Sequence, residues 1–99
     1  MRTKRLQSNR GESRIDETLD LHGYYQIDAT AALLEFLEEA KENDYRLVKI
    51  ITGKGIHSIN QQAVIKDLVE DILRHRDYEY SEAKINQGGS GALLVKIKS

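Results

Sequence analysis

Ninety-nine residues suffice for one domain with a single modest core. At 39% apolar and 31% charged, with no cysteine, the chain is a polar globular protein in which disulfides and thiolate metal sites are excluded. No run approaches a membrane span, and the basic start Met1-Arg2-Thr3-Lys4-Arg5 lacks the apolar stretch of a secretory signal, so a cytoplasmic monomer without a membrane partner is expected.

The net charge of −1 conceals an asymmetry. Residues 1–14 hold Arg2, Lys4, Arg5, Arg10 and Arg14 against Glu12, a net of +4, which leaves −5 on the remainder. With almost no apolar residues, 1–16 reads as a disordered basic arm, and 17–99 as the folded domain. Arg2, Lys4 and Arg5 suit a phosphate backbone or ribosomal RNA. A plain solvated tail is the competing reading.

Thr18 to His22 reads as a short strand. Side chains alternate along a strand, so Asp20 and His22 share one face while Leu19 and Leu21 share the other. Gly23 breaks the run. Asp28 is a plausible helix N-cap, with Ala29 to Asn43 behind it. Leu33, Phe36, Leu37 and Ala40 form the stripe that covers a core, and Glu35, Glu38, Glu39 and Glu42 take the other side. Asn43-Asp44 signals a turn.

Leu47 to Ile51 is nearly continuous in apolar character, as a buried parallel strand should be. Thr52-Gly53-Lys54-Gly55-Ile56-His57-Ser58 follows it. A second helix is predicted from Asn60 or Gln61 to His75, its stripe made of Ile65, Leu68, Val69, Ile72 and Leu73. Tyr78 to Ile85 and Ala92 to Lys98 read as two further strands. Between them, Asn86 to Gly91 has the glycine content of a hairpin connection.

The order is β-α-β-α-β-β. Right-handed crossovers put both helices on one face and make the first strands parallel. The last strand returns antiparallel and slots between the second and third. The predicted fold is therefore an α/β two-layer sandwich, a four-stranded mixed sheet of order 1-2-4-3 with one face uncovered. Loops leaving the carboxyl ends of parallel strands form one rim, where ligands of open α/β sheets bind. The segments around His22, Gly53 and Gly89 are thus predicted neighbours.

That rim carries usable chemistry. Gly53 and Gly55 let backbone amides turn toward an anion at a helix start, and Lys54 adds a full charge. The spacing is not that of a P-loop, and a plain tight turn competes with the phosphate reading. His22 and His57 can exchange protons with an attacking hydroxyl and a leaving oxygen. Asp20 can orient His22 or hold its cationic form, and Lys54 can steady charge developing on phosphorus. RNA brings its own 2′-hydroxyl nucleophile; on DNA, water must attack, which favours a divalent metal such as magnesium held partly by Asp20. Asp20 and His22 can equally be a structural pair closing a loop. His75, at a helix end where a cation suits the dipole, reads as structural. Tyr24 and Tyr25 either stack on bases or close the loop onto the first helix.

Three segments together carry a resemblance. Leu19-Asp20-Leu21-His22-Gly23, Thr52-Gly53-Lys54-Gly55 with Ile56-His57-Ser58, and Gly88-Gly89-Ser90-Gly91-Ala92-Leu93-Leu94-Val95 resemble, in order and separation, the three signatures of the Smr (small MutS-related) domain. The resemblance covers roughly residues 17–98. It implies a βαβαββ sandwich like the C-terminal domain of translation initiation factor 3. It also implies nucleic-acid binding and, in several members, endonuclease activity on DNA or on messenger RNA at stalled ribosomes. On that basis the expected catalytic set is Asp20, His22 and Lys54, with His57 as a weaker member. Gly53, Lys54, Gly55, Ser58, Gly88, Gly89, Ser90 and Gly91 would hold the nucleic acid. Members with arginine at the first-motif histidine exist; this chain keeps His22, which favours cleavage in DNA repair or messenger-RNA quality control. One departure falls at Ile59-Asn60-Gln61-Gln62, where stand-alone members often carry proline and glycines. A binding module without chemistry is the alternative the sequence leaves open.

Overall fold

The structure is a computed structural model, described here for residues 14–53, 61–83 and 91–97. Its elements are β1 (Glu17–Asp20), α1 (Gln26–Glu42), β2 (Leu47–Ile51), α2 (Gln61–His75), β3 (Glu79–Glu82) and β4 (Ala92–Lys96). The sheet order is β1-β2-β4-β3. β1 runs parallel to β2, with Leu19 opposite Ile50 and Asp20 opposite Ile51. β4 is antiparallel to both β2 and β3. This is the predicted βαβαββ arrangement.

Alternation along the strands separates the two faces of the sheet. Val48 and Ile50 of β2 and Leu93 and Val95 of β4 are fully buried, and Val48 pairs with Val95, Ile50 with Leu93. Their neighbours Leu47, Lys49 and Ile51 are only half-buried. The helices cover the first set. α1 contributes Ala29, Leu33, Phe36, Leu37 and Ala40, and α2 contributes Ile65, Val69 and Leu73. Leu68 and Ile72 pack at the margin, so both predicted stripes face the core. Each such leucine, isoleucine or valine taken from water contributes about 1.5–3 kcal/mol, which offsets the entropy of ordering the chain.

The first helix begins earlier than the Asp28 cap expected from sequence. The Tyr25 carbonyl already accepts the Ala29 N–H at 2.9 Å, and Tyr25 itself is extended (φ −85°, ψ 164°) without a side-chain cap. A turn at Gly23 (φ +83°), in which the Tyr24 N–H donates to the Leu21 carbonyl, reverses the chain so quickly that helix can start at Gln26. Asp28 sits instead in the first turn, where its charge still suits the positive end of the helix.

Both helices stop by the same device. Asp44 (φ 60°) and Asp77 (φ 65°) take the left-handed conformation, and the next residues, Tyr45 and Tyr78, donate back to the carbonyls of Ala40 and Leu73. This is a Schellman closure with aspartate where glycine is usual. Just beyond the α1 stop, Asp16 Oδ2 accepts the Arg46 and Leu47 amides at 2.7 and 3.2 Å, while the Asp16 N–H donates to the Leu47 carbonyl. Asp16 therefore locks the start of β1 onto β2, and sheet bonding begins one residue before the expected domain start.

Candidate active site

Asp20 ends β1, and His22 lies beyond the strand, in the turn that Gly23 completes. The strand predicted to reach His22 is shorter, yet the predicted pairing survives by another route. Asp20 Oδ1 accepts the His22 backbone N–H at 3.1 Å and meets His22 Nδ1 at 2.8 Å. Both bonds fall on one oxygen of one carboxylate, so a single side chain shapes the turn and orients the ring. The side-chain hydrogen bond from His22, then the backbone one, hold the Asp20 carboxyl below its ordinary value of 3.8. An ionised carboxylate can only accept, so Nδ1 carries the hydrogen. Neutral His22 then presents the lone pair of Nε2, the form a general base needs. The side chains are 52% exposed for Asp20 and 68% for His22, which leaves that nitrogen open to a substrate.

Leu21 lies between them and is fully buried. Its N–H donates to the Ile51 carbonyl at 2.7 Å, extending the β1–β2 ladder one residue past β1. The burial of Leu21 fixes the turn from below while its two neighbours face solvent.

The second and third segments meet across one acceptor. The Gly91 carbonyl takes the Thr52 and Gly53 amides at 2.9 and 3.1 Å, and the Thr52 hydroxyl donates to it over a long 3.4 Å. Gly53 is left-handed (φ +89°), a conformation in which a side chain would be strained. Leu21, Ile51, Gly53 and Gly91 thus form one chain of backbone contacts along the rim. The three sequence segments converge at their described ends, as the topology predicted.

Thr52 is the residue that sequence reading passed over. It is fully buried, the sole non-aromatic polar side chain buried among the described residues. The signal was present: Val48, Ile50 and Thr52 follow in period two, so the threonine continues the buried face into the loop.

Lys54, Gly55, His57, Ser58, Gly88, Gly89 and Ser90 lie outside the described residues, as do Arg2, Lys4 and Arg5. His75 Nδ1 lies 2.9 Å from the Asp71 carbonyl, one helical turn back, which matches its structural reading. Tyr25 is 70% exposed, and Tyr24 is more covered at 38%. Among the described residues no three histidine, cysteine or acidic side chains gather as a metal site. Asp20 also commits Oδ1 to His22, so these donors alone do not fit a magnesium ion, which wants an octahedron of oxygens. No helix among the described residues is long and apolar enough to cross a membrane.

A family model described as the Smr domain matches residues 19–98, which includes every segment just described. The chain belongs to the Smr family. This Smr domain is 31% identical over 88 residues to endonuclease MutS2 of Latilactobacillus sakei, a match spanning 89% of the chain and 11% of the relative. It is 30% identical over 91 residues to endonuclease NBR9 of Saccharomyces cerevisiae, covering 91% of the chain and 36% of that protein. The chain thus spans well under half the length of both of these relatives. Among solved structures, YdaL of Escherichia coli, a stand-alone small MutS-related protein, superposes with a TM-score of 0.77 at 26% identity, over 83% of this chain and 64% of that one.

Proposed function

We propose that this Smr domain is an endonuclease that breaks phosphodiester bonds of RNA or DNA. The observation that carries the reading is the exposed Asp20–His22 pair, joined at 2.8 Å through Nδ1. A loop-closing role alone needs only the backbone bond from His22 to Asp20; it gives no reason to hold the imidazole ring with its second nitrogen toward solvent. Its relatives named endonucleases support the same chemistry.

On RNA, His22 Nε2 takes the proton of the 2′-hydroxyl as that oxygen attacks phosphorus, and the bond to the 5′-oxygen breaks. Asp20 steadies the imidazolium that results. Lys54 and the loop amides complete the phosphate cradle, and His57 returns a proton to the leaving oxygen. Gly53, Gly55, Ser58 and the segment 88–91 line the path of the strand, and the arm with Arg2, Lys4 and Arg5 adds phosphate contacts. A ribosome carrying messenger RNA, or damaged DNA, would present such a strand in the cytoplasm. DNA lacks the 2′-hydroxyl, so there the nucleophile must be water, with His22 as its base.

The test is incubation with labelled single-stranded RNA and with supercoiled plasmid, each with magnesium and with chelator, beside His22→Ala. Cleavage that disappears in the variant is the expected result, and the lanes name substrate and metal need. Binding without cleavage in any lane would overturn the catalytic reading in favour of a binding module.

A further inference from the structure

Large apolar side chains are exposed at four described positions: Tyr24, Tyr25, Ile27 and Val64. Tyr25 is 70% exposed and Ile27 82%. Isolated exposed apolar residues are ordinary on any protein surface. These four are not scattered. Tyr24, Tyr25 and Ile27 lead into α1, and Val64 is the fourth residue of α2. Because α1 and α2 follow the parallel neighbours β1 and β2, their starts lie at the same end of the sheet, the end that carries Asp20 and His22. Every exposed large apolar side chain among the described residues therefore lies at the end of the sheet that carries the candidate active site, and Tyr24 and Tyr25 directly follow its Gly23 turn. Exposed apolar side chains gathered at one end of a fold, beside candidate catalytic groups, point to a binding role.

We infer that this apolar border, centred on Tyr25 and Ile27, is a stacking platform for unpaired bases, so that the substrate is a single strand or an unpaired stretch. The inference rests on the endonuclease reading given above and specifies its substrate. Three observations converge on it. The Tyr24 amide is tied to the Leu21 carbonyl at 3.0 Å, so the tyrosines stay within one tight turn of His22. A base stacked there would leave its own phosphate within a nucleotide or so of that histidine. Charge points the same way: residues 15–99 carry a net −5, so beyond Lys54 and the basic arm the body offers little to a phosphate backbone, and contacts other than charge must add affinity. Finally, a duplex hides its base faces in its own stack. Only unpaired bases can lie against aromatic rings projecting from a helix start, and such stacking tolerates any sequence because every base has a π-face.

The experiment measures anisotropy of a short labelled RNA strand, the DNA strand of the same sequence, and the matched duplex, using His22→Ala to keep the strands intact. His22→Ala should bind either single strand more tightly than the duplex. Adding Tyr25→Ala should weaken single-strand binding about tenfold, the loss of one base–aromatic stack, and leave duplex binding unchanged. Tyr25→Phe should retain the affinity, since it keeps the ring. Tyr25 is exposed, and circular dichroism checks that each variant keeps the fold. Equal affinity for strand and duplex, or an unchanged affinity in Tyr25→Ala, would overturn the platform; cleavage by the unmodified protein in that case would leave the endonuclease reading standing. Neither binding nor cleavage would overturn both. A chain that self-associates through the patch, becoming monomeric on Ile27→Ala with strand binding unchanged, would assign the surface to a second copy and overturn the inference.

Discussion

Asp20→Asn separates the two jobs of the Asp20 carboxylate. Asparagine keeps an oxygen at the same place, so it can still accept the His22 backbone N–H, now 3.1 Å away, and the ring N–H, now 2.8 Å away. What disappears is the negative charge. Both side chains are more than half exposed, so water screens the pair, and the loss of stability should stay under about 1 kcal/mol. Turnover is affected differently, because the ring becomes a cation as it takes the substrate's proton. A hydrogen bond to a charged group contributes about 1.5–3 kcal/mol and a neutral one about 0.5–1.5, so the transition state loses on the order of 1 kcal/mol. That corresponds to a rate about five- to tenfold slower. His22→Ala removes the base itself and should cost about 10²- to 10⁴-fold. Single-turnover cleavage of labelled RNA measures the rates, and urea unfolding measures the stability. If Asp20→Asn slowed cleavage as much as His22→Ala, or not at all, Asp20 would not act by steadying the ring, and the assignment would fail.

Three further outcomes are expected. The Asp20 carboxyl, followed by carbon NMR, should titrate below 3.8 and move up toward that value in His22→Ala; because the folded group binds its proton less tightly than the unfolded one, its contribution to stability is present above the unfolded value and is lost as pH falls through the folded one, and a midpoint unmoved by the substitution would contradict the hydrogen-bond origin of the shift. Asp44→Gly should raise thermal stability by about 1 kcal/mol, since glycine takes φ of 60° without strain and an acidic group leaves the negative end of α1; a lower melting temperature would mean that the Asp44 side chain contributes more than its backbone costs. Tyr78→Phe should be neutral or stabilising by about 1 kcal/mol, because the Tyr78 hydroxyl is buried without a hydrogen-bond partner among the described residues; clear destabilisation would reveal a partner for it.

The helices and sheet were legible because burial follows period. Leu33, Phe36, Leu37 and Ala40 repeat every three or four residues, and each is buried; Leu47 to Ile51 is apolar except for Lys49, and it forms an inner strand. The direction in which the parallel strands step followed from crossover handedness and needed no side chain, and the antiparallel last strand was expected between the second and third, where it lies. Ends were harder. Asp28 has the chemistry of a cap, but the tight turn at Gly23 let the helix begin before it, and turn geometry is a three-dimensional outcome that a capping preference does not encode. The helix ends near Asn43-Asp44 and His75 were legible, but the left-handed conformation of Asp44 and Asp77 was not, because aspartate is far less diagnostic of it than glycine. At the site, the spacing of Asp20 and His22 foretold their proximity but attributed it to a shared strand face. The cause is a carboxylate folding back on its own turn. Thr52 was legible as a buried position by its period, but its partner, a main-chain carbonyl 39 positions away, was not.

The placement of β4 has a consequence for how the protein comes into being. β4 is the last strand in sequence among those described, yet it lies between β2 and β3 and is bonded to both. During synthesis, a chain that has emerged only through β3 holds two paired strands and a third with nothing to join. The interior position stands open, with the unpaired edge of β2 facing it, and such edges invite pairing with other chains. Residues before β4 can form the turn around His22 on their own. The amides of Thr52 and Gly53, however, have no acceptor until Gly91 arrives with β4. The rim is therefore the last part of the molecule to be completed, and a nascent chain would carry its histidine well before it carried a working site.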